Sequence, residues 1–387
     1  MHYEIRFMES LKKVVTNMLD QGYHIVIQSK FMGILVTSLI LLNIVSILLL
    51  ITMGYLPIIQ WNFLYYMIAA ACPFAYIITY SIIYYEGLVR LPNRFQLFFC
   101  FMLGLLLTIC LRPQIYLSPQ IISAFLIVAI WHLIKINKSF IKPLLGIMII
   151  YFIGYNAIWN LNYVALNFVI NRHLYDHIFL KIDLYLYSIL YGHAINQIGM
   201  YPLVGSNFLF SIFETSYVLI FPEVFVVAII LLINGGKLIQ YTTVLFCCYL
   251  IGLLIFILFP SLGPFITYPE TFQPAYRNTL TYSSMRMLES GYKAIKNGVQ
   301  FNTIGYFVAM PSLHVAIAIV TQWFMTISKP HFWLFLPINC LIIVSTFFLG
   351  YHFLIDVPTG ILLALVVIFS IHYLEKLTVK PPSRGCR

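Results

Sequence analysis

What the chain most lacks is charge. Asp, Glu, Lys and Arg together make up 9% of its 387 residues, against 61% hydrophobic residues. Soluble domains carry about a quarter charged residues, so this composition excludes a soluble globular fold and describes a polytopic membrane protein. Length alone would suggest two or three soluble domains, but that prior does not apply to a bundle of spanning helices. Cysteine is also scarce. The seven (Cys72, Cys100, Cys110, Cys247, Cys248, Cys340, Cys386) lie mostly inside apolar runs and follow no ligand spacing, which argues against a disulfide framework or a zinc site and for small apolar packing residues. There is no internal repeat and no low-complexity run. Residues 1–30 hold Arg6, Lys12, Lys13 and Lys30 among Glu4, Glu9 and Asp20; they are too polar for a signal-peptide core and read as an interfacial helix ahead of the first span. Aspartate is rarest of all, with four in the chain.

What the chain has in abundance is apolar runs of about the 20 residues that a membrane helix needs. They fall at 31–53, 61–85, 95–111, 117–134, 143–160, 208–232, 241–259, 311–328, 332–349 and 353–374, with 161–180 as an optional extension of the fifth. The expected fold is therefore all-α, a polytopic integral membrane bundle of about ten transmembrane helices. Two connections, 161–207 and 261–310, are longer than the turns elsewhere, and long ordered loops in compact proteins are often functional. The formal net charge is +10, yet the basic residues are scattered at the ends of apolar runs. They read as topogenic charges and contacts to anionic lipid headgroups, not as a nucleic-acid surface. With ten spans and a cytoplasmic N-terminus, most of the 22 Lys and Arg fall on the cytoplasmic side, as the positive-inside rule requires.

Against this background two short segments stand out: Met310-Pro311-Ser312-Leu313-His314 and, 38 residues after that histidine, His352-Phe353-Leu354-Ile355-Asp356. A charged side chain beside membrane hydrocarbon is costly and is by default a hypothesis about function. The span at 311–328 crosses inward and the next returns, so His314, His352 and the loop after Phe259-Pro260-Ser261-Leu262-Gly263-Pro264 all arrive at one membrane boundary. His352 and Asp356, spaced i, i+4, share one face of a helix. The carboxylate would accept one imidazole N–H and leave the other nitrogen as nucleophile or base. His314 falls in the first turn of a helix opened by Pro311, whose free N–H groups attract phosphate. A nucleophilic His, its orienting Asp, a second His and a phosphate cradle describe phosphoryl transfer. Two His and a carboxylate would also serve as zinc ligands, but no metal or other cofactor is expected. His24, His132, His193, His331 and His372 read as hydrogen-bonded or headgroup-facing residues.

The full pattern, Ala309 to Ala316 followed by Ser345 to Gly360, resembles the type 2 phosphatidic acid phosphatase (PAP2) superfamily, and within it the branch containing inositol phosphorylceramide synthases. The family's second motif, Pro-Ser-x-His, falls on Pro311, Ser312 and His314. Its third falls on Ser345, His352 and Asp356, with Thr346 where the family has Arg. The first motif is missing: Arg112-Pro113 is the one Arg-Pro, and Leu105 stands where its Lys should be. Phe259 to Gly263-Pro264 looks like a Pro-rich element of the synthase branch. The resemblance covers roughly residues 145–375. It implies a six-helix catalytic core within 141–387, with an amphipathic segment and four additional spans in 1–140.

The resemblance also implies roles. His352 attacks phosphorus, Asp356 stabilises its imidazolium, and His314 protonates the departing oxygen and then activates the acceptor. With two cationic motif elements missing, phosphate binding is expected from Ser312 and from Arg277, Arg286, Lys293 and Lys296 in the loop before Pro311. The expected activity is a membrane phosphotransferase or phosphatase acting on a lipid phosphate or phospholipid head group through a phosphohistidine, with transfer of a head group such as phosphoinositol to a lipid favoured. Release of phosphate to water is the alternative. A transporter of lipids or organic anions is the rival from another class, although transporters often show repeats and interrupted helices. The partners implied are membrane lipids, with a hydroxyl or water acceptor and no nucleic acid. The site would face away from the cytoplasm, in a bacterial inner membrane or a Golgi-type membrane.

Overall fold

The structure, a computed structural model, describes residues 30–55, 141–191, 207–233, 237–269, 279–299 and 306–378. Among them every regular element is a helix. In lipid no water satisfies backbone N–H and C=O groups, so a spanning segment must close its own hydrogen bonds. The helices are α1 (Lys30–Thr52), α2 (Ile141–Val169), α3 (Asp176–Tyr191), α4 (Asn207–Ile233), α5 (Leu238–Leu258), the single turn α6 (Pro264–Thr267), α7 (Leu280–Lys296), α8 (Leu313–Phe324), α9 (Lys329–Phe348) and α10 (Asp356–Thr378).

Four described helices are long and apolar enough to cross a membrane: Leu35–Thr52, Leu238–Leu258, Lys329–Phe348 and Asp356–Leu374. They correspond to the expected spans at 31–53, 241–259, 332–349 and 353–374. The spans expected at 61–85, 95–111 and 117–134 lie outside the described residues. The remaining three form helices of different length. The span at 143–160 lies within α2, of 29 residues. The one at 208–232 is α4, of 27 residues, which carries Glu214 and Glu223 and includes the apolar stretch Leu209–Phe221. The span at 311–328 is α8 with a 3-10 turn, Leu313–Ile327. The optional extension to 180 does not form: α2 stops at Val169, and α3 begins after a turn at Asp176.

Helix α8 is central, packed against α4, α5, α9 and α10, while α2 lies against α5 and carries α1. Ala316 and Ala318 on α8 are fully buried, and such small residues let neighbouring backbones approach, as membrane packing requires. Gly360 shows the closest approach: a Cβ there would run into the Ser312 carbonyl, so the first turn of α10 sits directly on the start of α8. A second apolar cluster, including Phe256, Phe265, Met285, Phe307 and Leu349, fastens α6 and α7 over the end of the bundle. Helix α7 is amphipathic. Thr279 caps it by accepting the Tyr282 N–H, and Lys293 and Lys296 occupy its last turn, where cations complement the helix dipole. The described parts of the two long connections thus form α3, α6 and α7, which are tied to the loops preceding α8 and α10.

Candidate active site

Ser312 caps α8, its Oγ accepting the Val315 N–H at 3.4 Å, and its own N–H donates to the Asp356 carbonyl at 3.2 Å. Helix α9 ends at Phe348, and His352 falls in the turn that follows, its N–H donating to the Thr346 carbonyl at 3.1 Å. His352 and Asp356 therefore do not share a helical face: α10 begins at Asp356 itself. The expected hydrogen bond between them is replaced as well. His352 Nδ1 lies 2.8 Å from the Ala309 carbonyl oxygen and 3.7 Å from Asp356 Oδ2, while that same Oδ2 accepts the Phe353 N–H at 2.8 Å. A carbonyl can only accept, so the bond assigns the proton to Nδ1 and leaves Nε2 as the lone-pair nitrogen. At 3.7 Å the carboxylate is too far for a good hydrogen bond but close enough to stabilise positive charge on the ring.

His314 stands opposite, with ring centroids 5.9 Å from those of His352. Its imidazole stacks on Tyr217 at 4.1 Å, and Tyr217 stacks in turn on Tyr351 at 4.1 Å. His314 Nε2 is buried without a hydrogen-bond partner. Both histidines line one cavity of about 250 Å³, whose lining also includes the aromatic residues Tyr155, Trp159, Tyr249 and Tyr306 and the polar residues Glu214, Thr281 and Ser284. Glu214 also docks α7 onto α4, accepting the Thr281 N–H at 2.7 Å.

The loops that meet here are the three expected from the topology. The Ala309 N–H donates to the Ser261 carbonyl and the Phe265 N–H to the Gly350 carbonyl, each at 3.1 Å. Gly263, at φ 86°, lies in the left-handed region that favours glycine, and a Cβ there would meet the Tyr351 carbonyl. Two further aspartates hold these loops, and sequence reasoning missed both. Asp176 accepts the Leu262 N–H at 3.1 Å, the Gly263 N–H at 2.9 Å, the Ser261 hydroxyl at 3.2 Å and the Thr267 hydroxyl at 2.8 Å. Asp183 accepts the Leu354 N–H at 2.7 Å and the Ile355 N–H at 3.1 Å. Burial pushes the Asp176 carboxyl up to about 6 and the Asp183 carboxyl up to about 7, against the opposing pull of these hydrogen bonds. The signal available in the sequence was rarity: three of only four aspartates converge on this boundary.

These carboxylates change where phosphate can bind. The N–H groups just ahead of α6 and α10 are taken by Asp176, Asp183 and Asp356, and at the start of α8 the Ser312 and Val315 N–H groups are also paired. Of the residues expected to bind phosphate, those among the described residues are not brought to the cavity. Ser312 is buried as a cap. Arg286 and Lys293 both pair with Glu289, at 2.9 and 2.6 Å, with half or more of their own side chains exposed. Arg277 lies outside the described residues. Among the described residues lining the cavity there is no Lys or Arg. Thr346 is buried with its hydroxyl donating to the Ile343 carbonyl. Of the other histidines, His331 is buried and hydrogen-bonded to the Ser328 hydroxyl, and His372 is exposed.

With this geometry in place, comparison with known proteins adds a family match over part of the chain. Residues 196–370 match the model of the PAP2 superfamily, a stretch that contains His314, His352 and Asp356 and all of α4 to α9. The match suggests phosphatase or phosphotransferase activity on phosphorylated lipid-like substrates. Together with four apolar helices it suggests an integral membrane protein. No curated protein and no solved structure matches the chain.

Proposed function

We propose that the protein is a membrane phosphotransferase that moves a phosphoryl-bearing head group from one lipid to a hydroxyl acceptor through a phosphohistidine on His352. The observation that carries this reading is the shared cavity: His352, with Nδ1 committed to the Ala309 carbonyl, faces the same space as His314, whose Nε2 has no other partner. In the first step Nε2 of His352 bonds to phosphorus, the bond to the leaving oxygen breaks, and His314 delivers a proton to that oxygen. Asp356 stabilises the charged ring. In the second step the acceptor O–H gives its proton to His314 as its oxygen bonds to phosphorus and the bond to His352 breaks. The scheme uses neither metal nor cofactor.

Transfer is favoured over hydrolysis by the cavity wall. Glu214, Thr281, Ser284 and Tyr351 present a carboxylate and hydroxyls, groups that suit an uncharged hydroxyl-bearing partner. The likeness to the inositol phosphorylceramide synthase branch favours the same reading, and the distribution of basic residues favours a site facing away from the cytoplasm. The test uses purified protein in lipid–detergent micelles and a phospholipid radiolabelled at phosphorus, with lipid hydroxyl acceptors added and no ion gradient. Wild type should pass label to the acceptor and, when acceptor is withheld, retain it in an acid-labile, alkali-stable protein bond. His352→Ala should do neither. Label appearing only as free phosphate would establish the phosphatase instead, and full activity in His352→Ala would sink the mechanism.

A further inference from the structure

Asp176 and Asp183 take no part in the scheme above, and neither lines the cavity. Both stand on α3, seven residues and two turns apart, which places them along one helical face. Their partners are not scattered. The hydrogen bond that sets the His352 tautomer, Nδ1 to the Ala309 carbonyl, joins two loops 43 residues apart in sequence; the His352 loop is tied directly to Asp183, and the Ala309 loop is tied to Asp176 through Ser261.

On the His352 side, Asp183 takes the N–H groups of Leu354 and Ile355, so the turn is held two residues beyond the histidine. On the Ala309 side, Asp176 takes four donors from residues 261–267. The Ser261 carbonyl of that loop then accepts the Ala309 N–H, and the Tyr175 N–H fastens the start of α3 to the Pro260 carbonyl at 2.8 Å. The residue type matters. A carboxylate offers acceptor positions on both oxygens and no donor, whereas an Asn would turn an NH₂ toward one of the backbone N–H groups. The charged or titratable groups facing this arrangement are Asp356 from α10, toward both aspartates, and Tyr292 from α7, toward Asp176.

We infer that α3 is the positioning element of the nucleophile, with Asp183 fixing the His352 turn and Asp176 fixing the Ala309 carbonyl that this ring addresses. Asp176 and Asp183 are positioning residues, acting on the reaction through His352. The inference rests on His352 being the nucleophile, and that part is tested first, by wild-type transfer that disappears in His352→Ala.

On that footing, Asp183→Asn in the full chain should lower kcat about 10- to 100-fold, the usual consequence of displacing a reacting group by about 1 Å, while KM for the lipid donor stays within about twofold. Label trapped on the protein should form more slowly by the same factor. A merely structural anchor would lower the yield of folded protein and leave kcat per folded molecule at the wild-type value; that result overturns the assignment, as does a loss confined to KM. If Asp183→Asn does not fold, Ser261→Ala and Thr267→Val carry the test, since each removes one hydroxyl donor from Asp176 and leaves the carboxylates in place. Each should lower kcat about two- to fivefold at constant KM, and wild-type kcat in both overturns the role of α3.

Discussion

The two ends of α8 both bury polar groups in an apolar bundle, and they do so in opposite ways. At its start, around His314, the acceptors are carboxylates and the donors are mostly backbone N–H groups of loops. At Thr321, two turns further along, side chains meet side chains. The Thr321 hydroxyl lies 3.2 Å from Glu223 Oε1 and 3.1 Å from Asn339 Oδ1, and Asn339 Nδ2 donates to Gln322 Oε1 at 3.0 Å. Neither Glu223 nor Thr321 lines the cavity beside the histidines. Burying polar or charged groups is costly in both places. What separates the candidate site from a structural layer is the space beside it: His314 Nε2 and Glu223 Oε2 are both buried without a partner, but His314 belongs to a residue that lines the cavity and Glu223 does not.

Substitutions ranked by expected effect sharpen or break that contrast. His352→Ala should reduce transfer by about 10³-fold or more, because the covalent route is lost with the nucleophile. His314→Gln should cost about 10²- to 10⁴-fold, the range of a general acid–base group, with burst labelling of the protein slowed alongside turnover. Asp356→Asn should cost about 10- to 100-fold, since it removes a charge 3.7 Å from the ring but leaves the Ala309 bond that sets the tautomer. At the other end of α8, Asn339→Leu should lower thermal stability by about 1–3 kcal/mol, leaving Gln322 Oε1 without its donor, with kcat per folded molecule unchanged. Glu223→Gln should be nearly silent, activity remaining within about twofold. A tenfold loss of activity in Glu223→Gln would break the comparison and make the second layer part of the functional machinery.

Much of the site was legible in the sequence because residue identity and spacing carried it. Pro311, Ser312 and His314 stand at the start of a helix as their order implies, and alternating spans bring His352 and the 260–264 loop to the same boundary. Other parts were not legible, for reasons that differ. The partner of His352 Nδ1 is a backbone carbonyl, and every residue has one, so no residue type at 309 could announce it. Asp176 and Asp183 lie more than 120 residues before His352, and only the packing of the long connections shows which N–H groups they meet. Arg286 and Lys293 looked available for phosphate because their sequence position was right. Glu289, three and four residues away along the same helix, was the nearer partner, as i, i+3 and i, i+4 geometry favours.

The sequence by itself determined that the chain is a helical membrane protein and which side chains can do chemistry, because apolar length forces helices in lipid and reactive groups are written in residue types. Only the tertiary structure decided how those groups are aimed. The proton position on His352, the docking of α3 against the loops and the capture of helix-end N–H groups by aspartates all depend on backbone donors and acceptors. Those are the same at every position and acquire meaning only when distant loops are folded against one another.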